Sequence, residues 1–208
     1  MIDIHTHLLP GVDDGVKSKE ETIKLLENYK KNGFEHVFLT PHVNEPFVKT
    51  DIEHIKKTFD SLKKEFDNTG VKTYLASELY LKPNPKGYIP ILDQFILIEL
   101  PVDTYPHYVL DEIFELQLEG YDIILAHVER YVWLYKNPKM QEKLKEMNVY
   151  FQLNISSVNI KEGKYYLEND YIDFLASDNH GSSRKDINLK EFKNYKNLMD
   201  KSKKILGL

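Results

Sequence analysis

The sequence predicts an α/β fold in which buried strands alternate with amphipathic helices and close, or nearly close, into a barrel. Short apolar runs with little apolar/polar alternation recur along the 208 residues, a pattern typical of parallel strands buried on both faces. Between these runs, apolar residues recur at helical spacing, and regular strand–helix alternation favours a parallel barrel. A doubly wound open sheet is the alternative, although no GxGxxG turn follows the first strand to indicate a dinucleotide site.

Seven apolar runs of four to six residues are predicted to be strands. They are Ile2–His5, Val37–Thr40, Thr73–Ser77, Phe95–Leu100, Ile123–His127, Tyr150–Asn154 and Phe174–Ser177. Ile, Val, Phe and Tyr recur in them, which are residues that pack well on a buried sheet.

Capping and stop signals mark the predicted helices. Ser18 and Glu21 form a capping box that starts the first helix, and Gly33 ends it. Asp51 caps the second, which ends at Gly70. Three more helices are predicted: one from Pro106 that buries Val109, Leu110, Ile113 and Phe114, one from Asn137-Pro138, and one from about Leu189 to Ile205.

The amino-acid composition limits the kinds of protein that this chain can be. With 41% hydrophobic and 29% charged residues, the chain is expected to form one globular domain spanning residues 1–208. The net charge of −5 argues against a nucleic-acid partner. The absence of cysteine excludes disulfides, thiolate ligands and cysteine nucleophiles, so any metal must be held by His, Asp or Glu.

The opening MIDIHTH lacks the basic start and apolar segment of a secretory signal. No uncharged apolar run approaches membrane length. We therefore expect a cytoplasmic protein that does not insert into a membrane.

Histidines and carboxylates recur at or just after the ends of the predicted strands. These residues are His5, His7, His42, Glu78, Glu99, His127, Asp178 and His180. In a parallel barrel these ends lie on one rim, where active sites are found. His5 and His7 point to the same face, about 7 Å apart at Cα, and together could bind one ion. An HxH pair alone is a weak signal, since two polar residues can also occur there by chance.

Other candidates in this set have alternative explanations. A carboxylate such as Glu99 within FILIEL is costly when buried unpaired, so it is expected to bind metal, form an ion pair or be protonated. The same argument applies less strongly to Glu78. His127, taken alone, could be a core histidine. Asp13 and Asp14 could simply form a turn, and only their position near the rim makes one of them a candidate ligand.

Two arginines follow strand ends in this lysine-rich chain. Arg130 comes three residues after His127, and Arg184 comes four residues after His180. A forked guanidinium at this rim could bind a phosphate in bidentate fashion. The alternative is that either arginine is an ordinary surface residue.

The segments DIHTHLLPGVDDG, TPHV, ASELY, LIEL, AHVERY and ASDNH resemble the polymerase and histidinol phosphatase (PHP) superfamily. The resemblance extends from Met1 to about Arg184 and is closest to the bacterial protein-tyrosine phosphatases of capsule and exopolysaccharide operons. It implies a single-domain, distorted (β/α)7 TIM-like barrel. It also implies a cluster of three metal ions. We expect two or three divalent ions, with manganese foremost and iron, zinc or magnesium as alternatives.

The resemblance also assigns roles to individual residues. The first metal would be held by His5, His7, Glu78 and Asp178, the second by Glu78, Glu99 and His127, and the third by Asp14, His42 and His180. Arg130 and Arg184 would bind phosphate. The implied reaction is attack of a metal-bound hydroxide on phosphotyrosine, with the tail of a bacterial tyrosine kinase as the substrate protein.

Three other functions remain open at this point. A small-molecule phosphatase, such as a histidinol phosphatase, would use the same fold and metals. A PHP-type nuclease is disfavoured by the acidic charge, and a non-catalytic scaffold is disfavoured by the complete set of candidate ligands.

Overall fold

The computed structural model describes residues 1–208 and contains nine strands, all paired in parallel within two sheets. The strands are β1 Ile2–Asp3, β2 His36–Leu39, β3 His42–Val43, β4 Lys72–Leu75, β5 Glu78–Tyr80, β6 Phe95–Glu99, β7 Asp122–Leu125, β8 Tyr150–Asn154 and β9 Phe174–Ala176. One sheet has the order β1-β2-β4, and the other has the order β3-β5-β6-β7-β8-β9.

Seven α-helices lie between and after these strands. They are α1 Lys19–Lys31, α2 Ile52–Asp67, α3 Val109–Leu118, α4 Val132–Tyr135, α5 Pro138–Glu146, α6 Lys161–Glu168 and α7 Lys196–Ile205. Helix α7 is preceded by a 3₁₀ segment, Leu189–Tyr195, so the final predicted helix is α-helical only in its second half.

The backbone hydrogen bonds that join neighbouring strands continue from the first sheet into the second. Between β2 and β3, Pro41 has no N–H to donate and interrupts the ladder, yet its carbonyl accepts from the Glu78 amide at 3.1 Å. Between β4 and β5, the Ser77 amide turns away to donate to Ile89 O at 2.9 Å. The chain thus has nine strands rather than the seven predicted, because two short strands that were not predicted, β3 and β5, follow directly after the second and third predicted strands.

The first and last strands meet at the rim. The Asp178 amide donates to His5 O at 2.9 Å, and the His7 amide donates to Asn179 O at 2.8 Å. These bonds lie just beyond the ends of β1 and β9 and join the outer edges of the two sheets. The parallel sheet therefore curls round on itself, which confirms the predicted barrel-like α/β class over the open-sheet alternative.

Three predicted helix starts are confirmed by their caps. Ser18 Oγ accepts from Glu21 N at 3.3 Å, and Asp51 Oδ1 accepts from His54 N at 2.7 Å. Asn137 Oδ1 accepts from Met140 N at 3.2 Å at the start of α5.

Helix α3 differs from the prediction in its start and in one buried residue. It begins at Val109 rather than at Pro106. Phe114, predicted to be buried, is 53% exposed. Val109, Ile113 and Leu116 form the buried side of the helix, and Phe114 lies one residue beyond Ile113, about 100° away around the helix.

A single cluster of 50 buried hydrophobic residues runs from Ile2 to Leu206. One continuous core of this extent supports the prediction of a single domain. None of the helices combines the length and the apolar character needed to cross a membrane.

Candidate metal centre

All nine residues predicted to bind metal lie together at one rim of the sheet. Most of them lie at or after the end of a strand, whereas His42 and Glu78 are the first residues of β3 and β5, just after the breaks in the strands. Three groups have ligand atoms within 4.8 Å of one another: His7, Asp14, His42 and His180; His5, His7 and Asp178; and His42, Glu78 and Glu99. His127 joins the third group, with Nε2 2.8 Å from Glu78 Oε1 and 3.5 Å from Glu99 Oε1. The rim therefore gathers five imidazoles and four carboxylates.

The Glu78 carboxylate lies at the centre of this cluster and is almost wholly buried. Its Oε2 atom is 3.3 Å from Nε2 of both His5 and His7 and 2.8 Å from His42 Nδ1. Its Oε1 atom is 2.8 Å from His127 Nε2. One carboxylate thus contacts four imidazoles from three other strand ends, the arrangement needed for a residue that bridges two ions.

Two of the strand-end residues adopt left-handed backbone conformations. His127 has φ 32°, and Asp178 has φ 53°. Such values are uncommon for residues other than glycine and cluster at functional sites, where the surrounding structure holds them. At this rim they accompany side chains that both reach the cluster.

The structure distinguishes between the two loop aspartates, of which the family resemblance had assigned only Asp14 to a metal. Asp14 Oδ1 lies 3.4 Å from His42 Nε2 and 3.5 Å from His180 Nε2. Asp13 instead accepts from the far side of His7, with Oδ2 2.7 Å from Nδ1, and its Oδ1 accepts from Gly15 N at 2.9 Å. Asp14 therefore faces the cluster, while Asp13 orients an imidazole from behind.

Sequence reasoning missed the residues that hold the other imidazole rings. Gln152 Oε1 lies 3.1 Å from His5 Nδ1. The carbonyl of Asp178 lies 2.9 Å from His180 Nδ1. These contacts leave Nε2 of both histidines directed at the cluster, as expected for metal-binding histidines with outer partners. No sequence signal identified them, because a glutamine or a backbone carbonyl carries no ligand pattern.

Both predicted phosphate-binding arginines lie at the edge of the cluster. The Arg130 guanidinium forms an ion pair with Asp178. Arg184 Nη2 lies 2.9 Å from Asp14 Oδ2, and its Nη1 lies 3.8 Å from Asp178 Oδ2. The two side chains are 34% and 42% exposed and help to line a cavity of about 360 Å³. A ligand in that cavity could therefore reach both guanidinium groups.

The donor atoms fit bound cations. Four buried atoms of the cluster lie close to one another, yet none forms a hydrogen bond with suitable angles; they are Asp14 Oδ1, His42 Nδ1, Glu78 Oε2 and His180 Nε2. Buried polar atoms without partners are costly, and concentrating four of them at one point is hard to explain in a metal-free site. Mixed imidazole and carboxylate donors without thiolate suit manganese, iron or zinc.

Without cations, several ionisable groups of the cluster have pKa values far from their usual ones. Burial raises the pKa of Glu99 to about 8, with the nearby Glu78 carboxylate adding to the effect. Burial and the Arg130 charge lower the pKa of His127 to about 4. Burial also opposes the charged form of His5, but the carboxylates of Glu78 and Asp178 outweigh it and raise its pKa to about 9.

The metal-free protein should lose stability as the pH rises above neutrality. The folded-state pKa values of His5 and His42 are raised from 6.5 to about 9 and about 10. Their contribution to stability is therefore complete below pH 6.5 and is lost through pH 9–10. The raised pKa of Glu99, about 8, acts in the same direction, because its ionisation disfavours the folded state.

Urea unfolding in chelator at a series of pH values measures this effect. We expect the free energy of unfolding to fall between pH 6.5 and 9, and Mn²⁺ to reduce the fall because cations bind the deprotonated ligands. A chelated protein whose stability is flat or rises over that range would contradict this electrostatic description.

Glu99→Gln tests whether this acid serves as a ligand. Its side chain is only 12% exposed, and it lies 3.8 Å from His42 Nδ1 and 3.5 Å from His127 Nε2. A neutral amide binds cations poorly, so metal content and activity should both fall. If Glu99 is instead a buried acid kept protonated, the amide should leave metal content unchanged. Elemental analysis of the folded variant separates these outcomes.

The three remaining histidines lie outside the cluster. His36, at the start of β2, has Nδ1 3.0 Å from Tyr74 OH, and His54 and His107 are exposed.

A solved structure gives the clearest comparison. It comes from a crystallographic study of YwqE from Bacillus subtilis and CpsB from Streptococcus pneumoniae, described as unique metal-dependent tyrosine phosphatases. This chain is 26% identical to it, with a TM-score of 0.82 over 92% of this chain and 84% of that one. A β-aspartyl dipeptidase from Fervidobacterium islandicum AW-1 is 13% identical with a TM-score of 0.51 over 97% of this chain and 69% of that one, a likeness of fold alone.

Sequence comparison leads to the same group of proteins. Tyrosine-protein phosphatase CpsB from Streptococcus pneumoniae is 31% identical over 86% of this chain and 83% of its own length. Tyrosine-protein phosphatase YwqE from Bacillus subtilis is 27% identical over 92% and 82%, respectively. The family model for capsular polysaccharide synthesis, CpsB/CapC, matches residues 1–204. The predicted resemblance is confirmed, and the chain belongs to the CpsB/CapC family of capsular polysaccharide synthesis proteins.

Proposed function

We propose that this chain is a metal-dependent protein-tyrosine phosphatase that acts in capsule or exopolysaccharide synthesis. One observation carries the proposal: nine buried or half-buried imidazoles and carboxylates converge at one rim, with two arginines beside them. A cavity lined by both arginines and by one of the candidate ligands, Asp178, adjoins the cluster, an arrangement suited to a phosphate ester. The phosphatase names of the family members described above supply the reaction class.

The cluster offers room for two or three divalent ions, with manganese foremost. His5, His7, Glu78 and Asp178 would hold one ion, and Asp14, His42 and His180 another, while Glu78, Glu99 and His127 would form the third set of donors. When bound, such ions activate water near neutral pH and neutralise charge on phosphoryl oxygens.

The remaining catalytic work falls to residues of the chain itself. Arg130 and Arg184 would bind the phosphoryl oxygens and stabilise the charge that develops on them. A tyrosyl leaving group, with a pKa near 10, needs less proton assistance than an alkyl alcohol. The chain has no cysteine, so the cysteinyl-phosphate route of other tyrosine phosphatases is closed to it.

We also propose that β2 with β3, and β4 with β5, are two interrupted strands of a distorted (β/α)7 barrel. The ladder contact between Pro41 O and the Glu78 amide at the first break, at 3.1 Å, supports this interpretation. On this interpretation we propose that residues 1–208 form one catalytic domain whose ligands come from successive strand positions.

The substrate that fits this function best is a phosphotyrosine-bearing protein, with the tail of a bacterial tyrosine kinase as our candidate. Arg130 and Arg184 are about one third and two fifths exposed, so a phosphate carried on a protein segment could reach them. The cytoplasmic location expected from the sequence stays a prediction.

A panel of substrates tests the proposal. Purified protein with Mn²⁺ would be assayed on a phosphotyrosine peptide, histidinol phosphate and single-stranded DNA, each with a chelator control. We expect metal-dependent release of phosphate from the peptide, with kcat/KM well above that for histidinol phosphate, and no cleavage of DNA. Preference for histidinol phosphate would replace the proposed function with a small-molecule phosphatase, and DNA cleavage would replace it with a nuclease.

A further inference from the structure

Strand β8 provides none of the nine predicted ligands, yet its side chains reach three of them. Gln152, at the centre of this strand, is completely buried. Its Oε1 atom lies 3.1 Å from His5 Nδ1 and accepts the backbone amide of His127 at 2.9 Å. A single amide oxygen thus links His5, which follows β1, to His127, which follows β7.

The hydrogen bond from His127 fixes which atom of the Gln152 amide is the oxygen. A backbone N–H can only donate, so the atom that it contacts must be the carbonyl oxygen. The amide nitrogen then faces Asn154 Oδ1 at 2.9 Å. Because a carbonyl oxygen can only accept, His5 Nδ1 must carry the proton in this contact. That leaves His5 Nε2 directed at the cluster, 3.3 Å from Glu78 Oε2 and 3.6 Å from Asp178 Oδ1.

The network continues from Gln152 to a second predicted ligand of the same group. Asn154 accepts from Gln152 and donates from Nδ2 to Asp178 Oδ2 at 3.2 Å. Gln152 therefore joins His5 to Asp178 through one intermediate amide. It also anchors the backbone of His127, whose φ of 32° is a conformation that needs support from its surroundings.

We propose that Gln152 is a positioning residue that sets the tautomer and orientation of His5 and, through Asn154, the position of Asp178 in the metal centre. This inference rests on the proposed function, because it assumes that the cluster binds cations. Outer partners of this kind orient histidine ligands and typically contribute 10- to 100-fold to metal affinity. Here the outer partner is a neutral amide, whereas the neighbouring His7 has the carboxylate of Asp13.

Gln141 provides a matched control. It is also completely buried and makes a similar number of hydrogen bonds, donating to Leu134 O at 2.8 Å and accepting from Tyr165 OH at 2.9 Å. It lies on α5 and contacts no residue of the cluster. Leucine at either position removes a buried amide of similar size, so only effects specific to the metal centre should differ between the two variants.

The experiment measures Zn²⁺ affinity and stoichiometry in folded, metal-stripped protein. Gln152→Leu should bind Zn²⁺ about 10- to 100-fold more weakly than the unsubstituted protein, and Gln141→Leu should bind it unchanged even if its thermal stability falls. Gln152→Glu keeps an acceptor for His5 and for the His127 amide while losing the donor to Asn154, and should recover most of the affinity. NMR spectra of the Zn²⁺-loaded protein labelled at its histidine nitrogens should show His5 protonated at Nδ1.

Several results would overturn the inference. Affinity within twofold of normal in Gln152→Leu, equal losses in Gln152→Leu and Gln152→Glu, or an equal loss in Gln141→Leu would each do so. If Gln152→Leu fails to fold, the NMR result decides, because a His5 ring protonated at Nε2 contradicts the assigned tautomer. Failure of the unsubstituted protein to bind Zn²⁺ would instead overturn the metal-dependent function together with this inference.

Discussion

Glu78→Gln protein is expected to lose bound metal and nearly all phosphatase activity. The Glu78 carboxylate contacts four imidazoles at 2.8 to 3.3 Å, and an amide can offer only one neutral oxygen in its place. If Glu78 serves two of the proposed ions, losing its charge would remove about 4 kcal/mol of transition-state stabilisation and lower kcat on the order of 10³-fold. Elemental analysis should show fewer ions per chain in the same preparation.

Glu129→Gln is the matched control for this variant. Glu129 is another buried glutamate near the rim, and its Oε2 atom accepts a hydrogen bond from the backbone N–H of Asn154 at 3.4 Å. Burial raises its pKa to about 7, so a neutral amide resembles a form that the acid already adopts. Metal content should remain normal in Glu129→Gln. Normal metal content in Glu78→Gln as well would contradict the central position assigned to Glu78.

Arg130→Ala is expected to lower kcat by about 10²- to 10³-fold, the scale observed when one preorganised charge-stabilising group is removed. The Arg130 guanidinium pairs with Asp178 at the edge of the cluster, next to the position where phosphoryl oxygens would bind. A guanidinium does not ligate cations, so the metal content should stay intact. Steady-state kinetics and elemental analysis on one preparation measure both effects.

Arg130→Lys separates the role of the forked guanidinium from that of charge alone. A lysine ammonium supplies the charge but not the bidentate geometry, so only part of the lost turnover should return. The assigned role of Arg130 is wrong if Arg130→Ala retains near-normal turnover, or if a covalent phospho-enzyme can be trapped during catalysis.

The strand–helix alternation of the fold could be predicted because its signals are local. Caps such as Ser18 and Asp51 satisfy backbone amides within the same turn, so their positions in the sequence determine where the helices start. The interruptions at Pro41 and Ser77 were not predicted, since they depend on contacts with neighbouring strands. Phe114 was wrongly predicted to be buried, because apolar identity alone does not reveal which side of a helix faces β7.

The arrangement of the site was predictable for a related reason. Residues at the ends of parallel strands must meet at one rim, so the convergence of His5, His42 and Asp178 follows from their places in the chain. The contacts that hold these ligands from behind cannot be inferred from positions in the chain. Gln152 looks like an ordinary polar residue within a buried strand. Residue type and spacing alone do not separate Asp13 from Asp14, and before the structure only the family resemblance favoured Asp14.

The most direct test of the account combines metal analysis with phosphotyrosine hydrolysis on a single preparation. Purified protein would be assayed for bound metal, stripped with a chelator, and assayed again after Mn²⁺ is restored. We expect two or three transition-metal ions per chain, loss of activity on stripping, and recovery on restoration. Protein that contains no metal and hydrolyses a phosphotyrosine peptide at full rate in chelator would contradict it.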